Sequence, residues 1–277
     1  QYDKARYELK KSLEWNAKNV DAKQILVNVE QESKRYSSAI CYVNELLEVN
    51  PYWKGLWSRK IELYELQGNT VESNRLRKRL SQIYPKESKV QEDYLYNTEL
   101  QANALRKQGK IDEAISLTSD LLKKQPENPS HYLTLVNDHL KTGDYYSALA
   151  FAERGLIQFP GNLSLINKKS GILAEQKRYD ELIPFLQDQM KFGNRAALQQ
   201  QYNYYLLEAA RSAKDKDPAT LYGKIFESSP GNYEAFNYVF NNAVGNQQYE
   251  EALAILNRYR RARGGSKNLS MKELMVH

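Results

Sequence analysis

Along most of the chain, apolar residues recur at i, i+3, i+4 and i+7, the period of a helix with one buried stripe. The segments carrying this pattern come in pairs. A Gly or Asn separates the members of a pair and permits a tight reversal, while Pro-Gly-Asn at 160–162 and 230–232 or Glu-Asn-Pro at 127–129 ends one pair and opens the next. A two-helix unit of this size cannot bury its stripe alone, so each must lean on its neighbour.

The punctuation keeps a fixed period. Pro51 and Pro85 are 34 residues apart, Pro85 and Pro126 are 41 apart, and Pro126 and Pro160 are again 34 apart. Ala5 and Ala39, Ala114 and Ala148, Tyr2 and Tyr36, Tyr145 and Tyr179, and Gly109 and Gly143 share the 34-residue step, while Gly68 and Gly109 share the 41-residue one. The shared longer step places one insertion at 86–94, which either lengthens a helix or forms a loop.

Aligned on that period, the chain resembles the tetratricopeptide repeat family, whose unit has a large residue, a Gly turn, a Tyr, a small Ala and a closing Pro. Residues 129–162 are the best copy, with Tyr132, Leu135, Gly143, Tyr145, Ala148 and Pro160. Residues 54–85 follow with Trp57, Tyr64, Gly68, Leu80 and Pro85, but Ser73 and Arg77 stand where a small and an apolar residue are expected. The resemblance implies an all-α fold, a right-handed superhelical solenoid of antiparallel helix pairs. Its divisions are a half unit at 2–19, units 20–53, 54–94, 95–128, 129–162, 163–198, 199–232 and 233–266, and the start of a capping or linking helix at 270–277. Two units depart further. In 163–198 Leu182 replaces the small Ala and Gly193-Asn194 the Pro, and in 199–232 the second helix is expected to start at Pro218. The half unit matches only a second helix, and Ser270 reads as an N-cap, so the expectation is a segment of a larger protein.

Composition adds bounds. The 277 residues are 41% hydrophobic and 27% charged, enough for a continuous core, and no apolar run approaches the roughly 20 residues that cross a bilayer. The single cysteine, Cys41, excludes an internal disulfide framework and reads as a small packing residue. The formal charge of +6 includes two clusters, Arg75, Arg77, Lys78, Arg79 and Arg258, Arg260, Arg261, Arg263, both on second helices. Such clusters either contact an anionic surface or nucleic acid, or pair with nearby carboxylates; the paired face is the expected state.

The family resemblance implies that the first helix of each unit lines a concave groove. The inward positions then hold Gln24, Asn28, Glu62, Asn103, Arg106, Asn137, Asn167, Lys168, Asn203, Tyr204, Asn237 and Asn241. Asparagine recurs there, and a carboxamide, which both donates and accepts, can hold the backbone of an extended peptide. Tyr202, Tyr204 and Tyr205 cannot all point inward, since neighbours on a helix are about 100° apart; Tyr204 is the expected exposed aromatic. Some members of the family clamp a partner's C-terminal carboxylate with Lys and Asn, but Glu99 and Leu133 stand where the clamp needs Lys.

Catalytic motifs were not found: the chain has no Gly-rich phosphate loop, Gly-x-Ser-x-Gly or His-Glu-x-x-His, and Gly109-Lys110 and Gly223-Lys224 lack a nucleotide loop's flanks. His131 and His139, eight apart, do not form an i, i+4 metal pair. The sequons at Asn162 and Asn268 read as fortuitous. No enzyme activity, cofactor, metal or nucleic acid is expected. The expected role is a scaffold binding a peptide or partner domain. The alternatives are a spacer docking another domain of a longer chain, possibly an outer-membrane barrel, and RNA binding of the pentatricopeptide kind. The Asn, Gln and Tyr texture resembles Bacteroidota-type periplasmic arrays, which implies a periplasmic location, with the cytoplasm as alternative.

Overall fold

The computed structural model describes residues 2–212, 218–263 and Lys272. All regular elements among the described residues are helical, and the chain divides into two compact units, Gln1–Lys124 and Gln125–His277. The first holds α1 (Tyr2–Trp15), α2 (Val20–Glu32), α3 (Tyr36–Val49), α4 (Lys54–Leu66), α5 (Thr70–Ile83), α6 (Ser88–Lys107) and α7 (Ile111–Lys124). The second holds α8 (Pro129–Lys141), α9 (Tyr145–Gln158), α10 (Leu163–Glu175), α11 (Tyr179–Gln189), α12 (Arg195–Ser212), α13 (Pro218–Ser228), α14 (Tyr233–Gly245) and α15 (Tyr249–Arg263). Within each unit consecutive helices pack on one another, and in the second unit α8 and α10, first helices of neighbouring pairs, also meet.

Short polar residues start the helices. Asn19, Asn69, Asn128, Asn162 and Asn232 are N-caps whose side-chain oxygens accept backbone N–H groups, and Asp144 does the same from Ser147. Five of the 22 asparagines are therefore caps, Asn162 of the first sequon among them; Asn268 lies outside the described residues, as does Ser270.

One turn geometry closes six helix pairs. Gly68, Gly109 and Gly143 take φ of 73°, 77° and 77°, and Lys34, Lys177 and Gln247 take the corresponding turn positions at 58°, 57° and 61°. In every case the residue after the left-handed one donates its N–H to a carbonyl five back, as Asn69 does to Tyr64 and Arg178 to Leu173, both at 2.9 Å. The reversal thus forms without Gly in three pairs.

Beyond each turn the small residue does what its size allows. Ala39, Ala114, Ala148 and Ala252 are fully buried where paired helices approach closely. Ser73 holds that position in α5, buried, and Leu182 holds it in α11. α11 is shorter, with Pro184 inside it, and runs into a 3-10 turn at Met190–Phe192 before Gly193 at φ 119°.

The insertion 86–94 lengthens a helix. α6 has 20 residues, about 30 Å, and begins at Ser88, so the expected boundary at 94/95 falls inside it. Its added turns carry Val90 and Tyr94 into the core and bring Asp93 to Arg77. Arg77 is 7% exposed and is held by Asp93 at 2.8 Å, by Ser73 and Asn74, and by Glu65. An arginine at an expected apolar position is accommodated because Asp93 of the insertion and Glu65 of α4 both supply counter-charges.

Cys41 is exposed, contrary to the packing role expected of it. The buried stripe of α3 is Ala39, Ile40, Val43, Leu46 and Leu47, and position 41 falls off it. Of the tyrosines that keep the repeat, Tyr132 is buried, and Tyr36 and Tyr64 are partly buried against the core.

Candidate partner-binding face

In the second unit α10 and α12 lie side by side and bring carboxamides and phenols together. Asn167, Gln200, Gln201, Tyr204 and Tyr205 line one open cavity of about 380 Å³. Gln201 donates from Nε2 to Asn167 Oδ1 at 2.6 Å, linking positions 34 residues apart in sequence. Tyr204, 59% exposed, stands edge-on to Tyr205 with ring centroids 5.1 Å apart, while Tyr202 is buried on the opposite side. Burial pushes the Tyr205 hydroxyl above the usual phenol range, so it remains a neutral donor and acceptor. None of the cavity's lining residues is charged.

The other sequence candidates distribute unevenly. Asn28 is exposed on α2, near a polar link in which Arg59 of α4 donates to Gln31 at 3.0 Å and pairs with Glu62. Gln24 is partly buried on the same helix. Arg106 donates to Asn103 at 2.8 Å and to Thr118 across the α6–α7 pair, so both side chains are engaged within the first unit. Asn137 on α8 and Lys168 on α10 are partly buried. Asn203 turns toward α13, accepting from Ser228 at 2.9 Å and from Gln199 at 3.0 Å, and so does not join Tyr204. Asn237 and Asn241 line a second cavity of about 410 Å³ with Tyr222, Glu234, Tyr238 and Asn242.

Gln200, Gln201 and Tyr205 are absent from the sequence candidates for a register reason. Gln201 stands 34 residues after Asn167, whereas the division 199–232 starts 36 residues after 163–198; that slip of two residues, about 200° on a helix, moves the inward positions from Gln201 and Tyr205 to Asn203 and its turn-mate. The Gln199-Gln200-Gln201 run beside Tyr204 was the signal available.

The first basic cluster is internally committed: Arg75 pairs with Glu72, Lys78 with Asp120 at 2.6 Å, and Arg79 lies over the Trp57 ring at 4.9 Å. In the second, Arg258 donates to the Glu227 carbonyl at 3.0 Å and lies 5.4 Å from the Phe226 ring centroid. His131 is buried and bonds Gln125 and Asn128, and His139 stacks on Phe151 and faces Asp144. Among the described residues no helix is long and apolar enough to cross a membrane.

No family model and no curated protein matches the chain. Solved structures do. The Naa15/Naa10 complex bound to HypK-THB aligns at 17% identity over 97% of this chain and 41% of that one, with a TM-score of 0.42; the present chain thus spans less than half of that relative. The C-terminal part of a TPR repeat-containing protein from Cytophaga hutchinsonii aligns at 14% identity over 89% and 98%, with a TM-score of 0.42. YrrB, described as a TPR protein with an unusual peptide-binding site, aligns at 17% identity over 64% and 90%, with a TM-score of 0.35. At this degree of likeness no partner carries over. The chain's own features, a 34-residue helix pair, a left-handed turn residue and a buried small residue after it, make this an all-α fold of tetratricopeptide type.

Proposed function

We propose that the chain is a protein-interaction scaffold that holds an extended peptide segment on the first-helix face of its second unit. The observation that supports this most is the meeting of Asn167, Gln201, Tyr204 and Tyr205 around one open, uncharged cavity. Carboxamides can satisfy both backbone groups of an extended chain, and tyrosines add rigid contact area at little entropic cost. The pairing of the first basic cluster with its own carboxylates favours this reading over nucleic-acid binding, which needs those cations free. The texture of the sequence supports the periplasm as the compartment, which fractionation of the source cell would test.

The test is capture from each cell fraction with the native chain and with Asn167→Ala/Tyr204→Ala as paired baits of equal thermal stability. A partner held by the native chain and lost by the variant supports the face. Equal recovery of the same partners by both baits rejects it.

A further inference from the structure

The polar face of α14 is filled from within the chain. Asn237 and Asn241 lie one turn apart on it, with Phe236 and Phe240 beside them, both rings without solvent exposure. The ammonium of Lys272 lies 2.5 Å from Asn237 Oδ1 and 3.5 Å from Asn241 Oδ1. It also stands 5.0 Å from the Phe236 ring centroid and 4.6 Å from that of Phe240. Two carbonyl oxygens and two ring faces form a neutral receptor that attracts a compact cation.

The nearby charges explain why the receptor takes a cation without forming an ion pair with it. Glu234, which lines the same cavity, is already held by Arg211 through two bonds, at 2.5 and 3.0 Å, and by the Tyr222 hydroxyl at 3.0 Å. Burial pushes Lys272 below the usual lysine range, and the two oxygens and two rings are the partners that face its ammonium. A lysine suits the geometry better than an arginine, since a point-like ammonium can face both oxygens while its stem covers the rings.

We infer that the α14 face is a binding site for a primary ammonium, the lysine side chain being its natural ligand class, and that Lys272 occupies it in cis. A lysine borne by another molecule would reach Asn237 and Asn241 only by displacing Lys272. The site stands apart from the α10–α12 face and does not depend on it.

Proton NMR of the full chain tests this without substitution: ring currents from Phe236 and Phe240 should move the ε-methylene protons of Lys272 upfield of those of the other lysines. In Lys272→Met the side-chain amides of Asn237 and Asn241 should shift, and n-butylammonium should shift them back saturably where n-butanol does not. Lys272 ε-protons coincident with those of the other lysines would overturn the cis occupancy. Amides of the Met variant that respond equally to n-butylammonium and to sodium chloride would overturn the ligand class.

Discussion

Arg77 Nε donates to Asp93 Oδ2 at 2.8 Å, joining a residue that breaks the repeat pattern to one that lies in the only insertion the period reveals. The two departures compensate each other. Arg77→Ala is expected to cost about 1–3 kcal/mol, because charge-assisted bonds to Asp93, Glu65, Ser73 and Asn74 are lost while both carboxylates stay half exposed and hydrated. Urea denaturation checks it; a change near zero would mean the insertion is held by Val90 and Tyr94 alone.

Arg6 and Glu30 form the harsher case. Glu30 is 2% exposed, Arg6 donates to it at 2.6 Å, and Arg6 is the one buried side chain of α1 among the described residues. Removing the arginine leaves a buried carboxylate unpaired, a change worth about 3–5 kcal/mol. Arg6→Ala should therefore release α1 from α2, seen as loss of amide-exchange protection across Tyr2–Trp15 with α4 and α5 unaffected.

The turn residues predict opposite signs for opposite substitutions. Lys177 holds φ 57° with a side chain that disfavours it, so Lys177→Gly should stabilise the second unit by about 0.5–1 kcal/mol. Gly143→Ala, at φ 77° with open space around its Cβ, should destabilise by about 1 kcal/mol through backbone strain alone. Thermal melts of both variants decide it.

Glu234 links stability of the last two pairs to acid. Its bonds with Arg211, and then with the Tyr222 hydroxyl, hold its carboxyl below the usual range despite some burial. The stabilisation is present above the unfolded-state carboxylate pKa and is lost as pH falls through the lower, folded-state value. Glu234→Gln should flatten that part of the acid-stability profile; an unchanged slope would place the acid response elsewhere.

The fold was readable because helix period, Pro, Gly and Ala all mark the same unit, and the start of α13 at Pro218 followed from the helix preference of Pro at its first position. Tyr204 was readable from angular spacing on α12. The face around it was less so, since Gln201 and Tyr205 fall into place only when the unit is set 34 residues after its predecessor, and with Leu182 for Ala and Gly193-Asn194 for Pro the preceding unit lacks the marks that fix that step. Cys41 misled for a related reason: residue type predicted burial, but one position's offset from the stripe of α3 decided exposure. Arg77 could not be placed from the pattern, because its partner Asp93 comes from an insertion whose conformation the period leaves open.

That exposed thiol has a practical consequence. With one cysteine in 277 residues, and that one facing solvent on α3, the native chain accepts a single maleimide dye or spin label at a known point of its first unit. A second cysteine placed at exposed Tyr96 on α6 would complete a distance pair within that unit, reporting by fluorescence transfer whether it opens in urea, with no background thiol to remove.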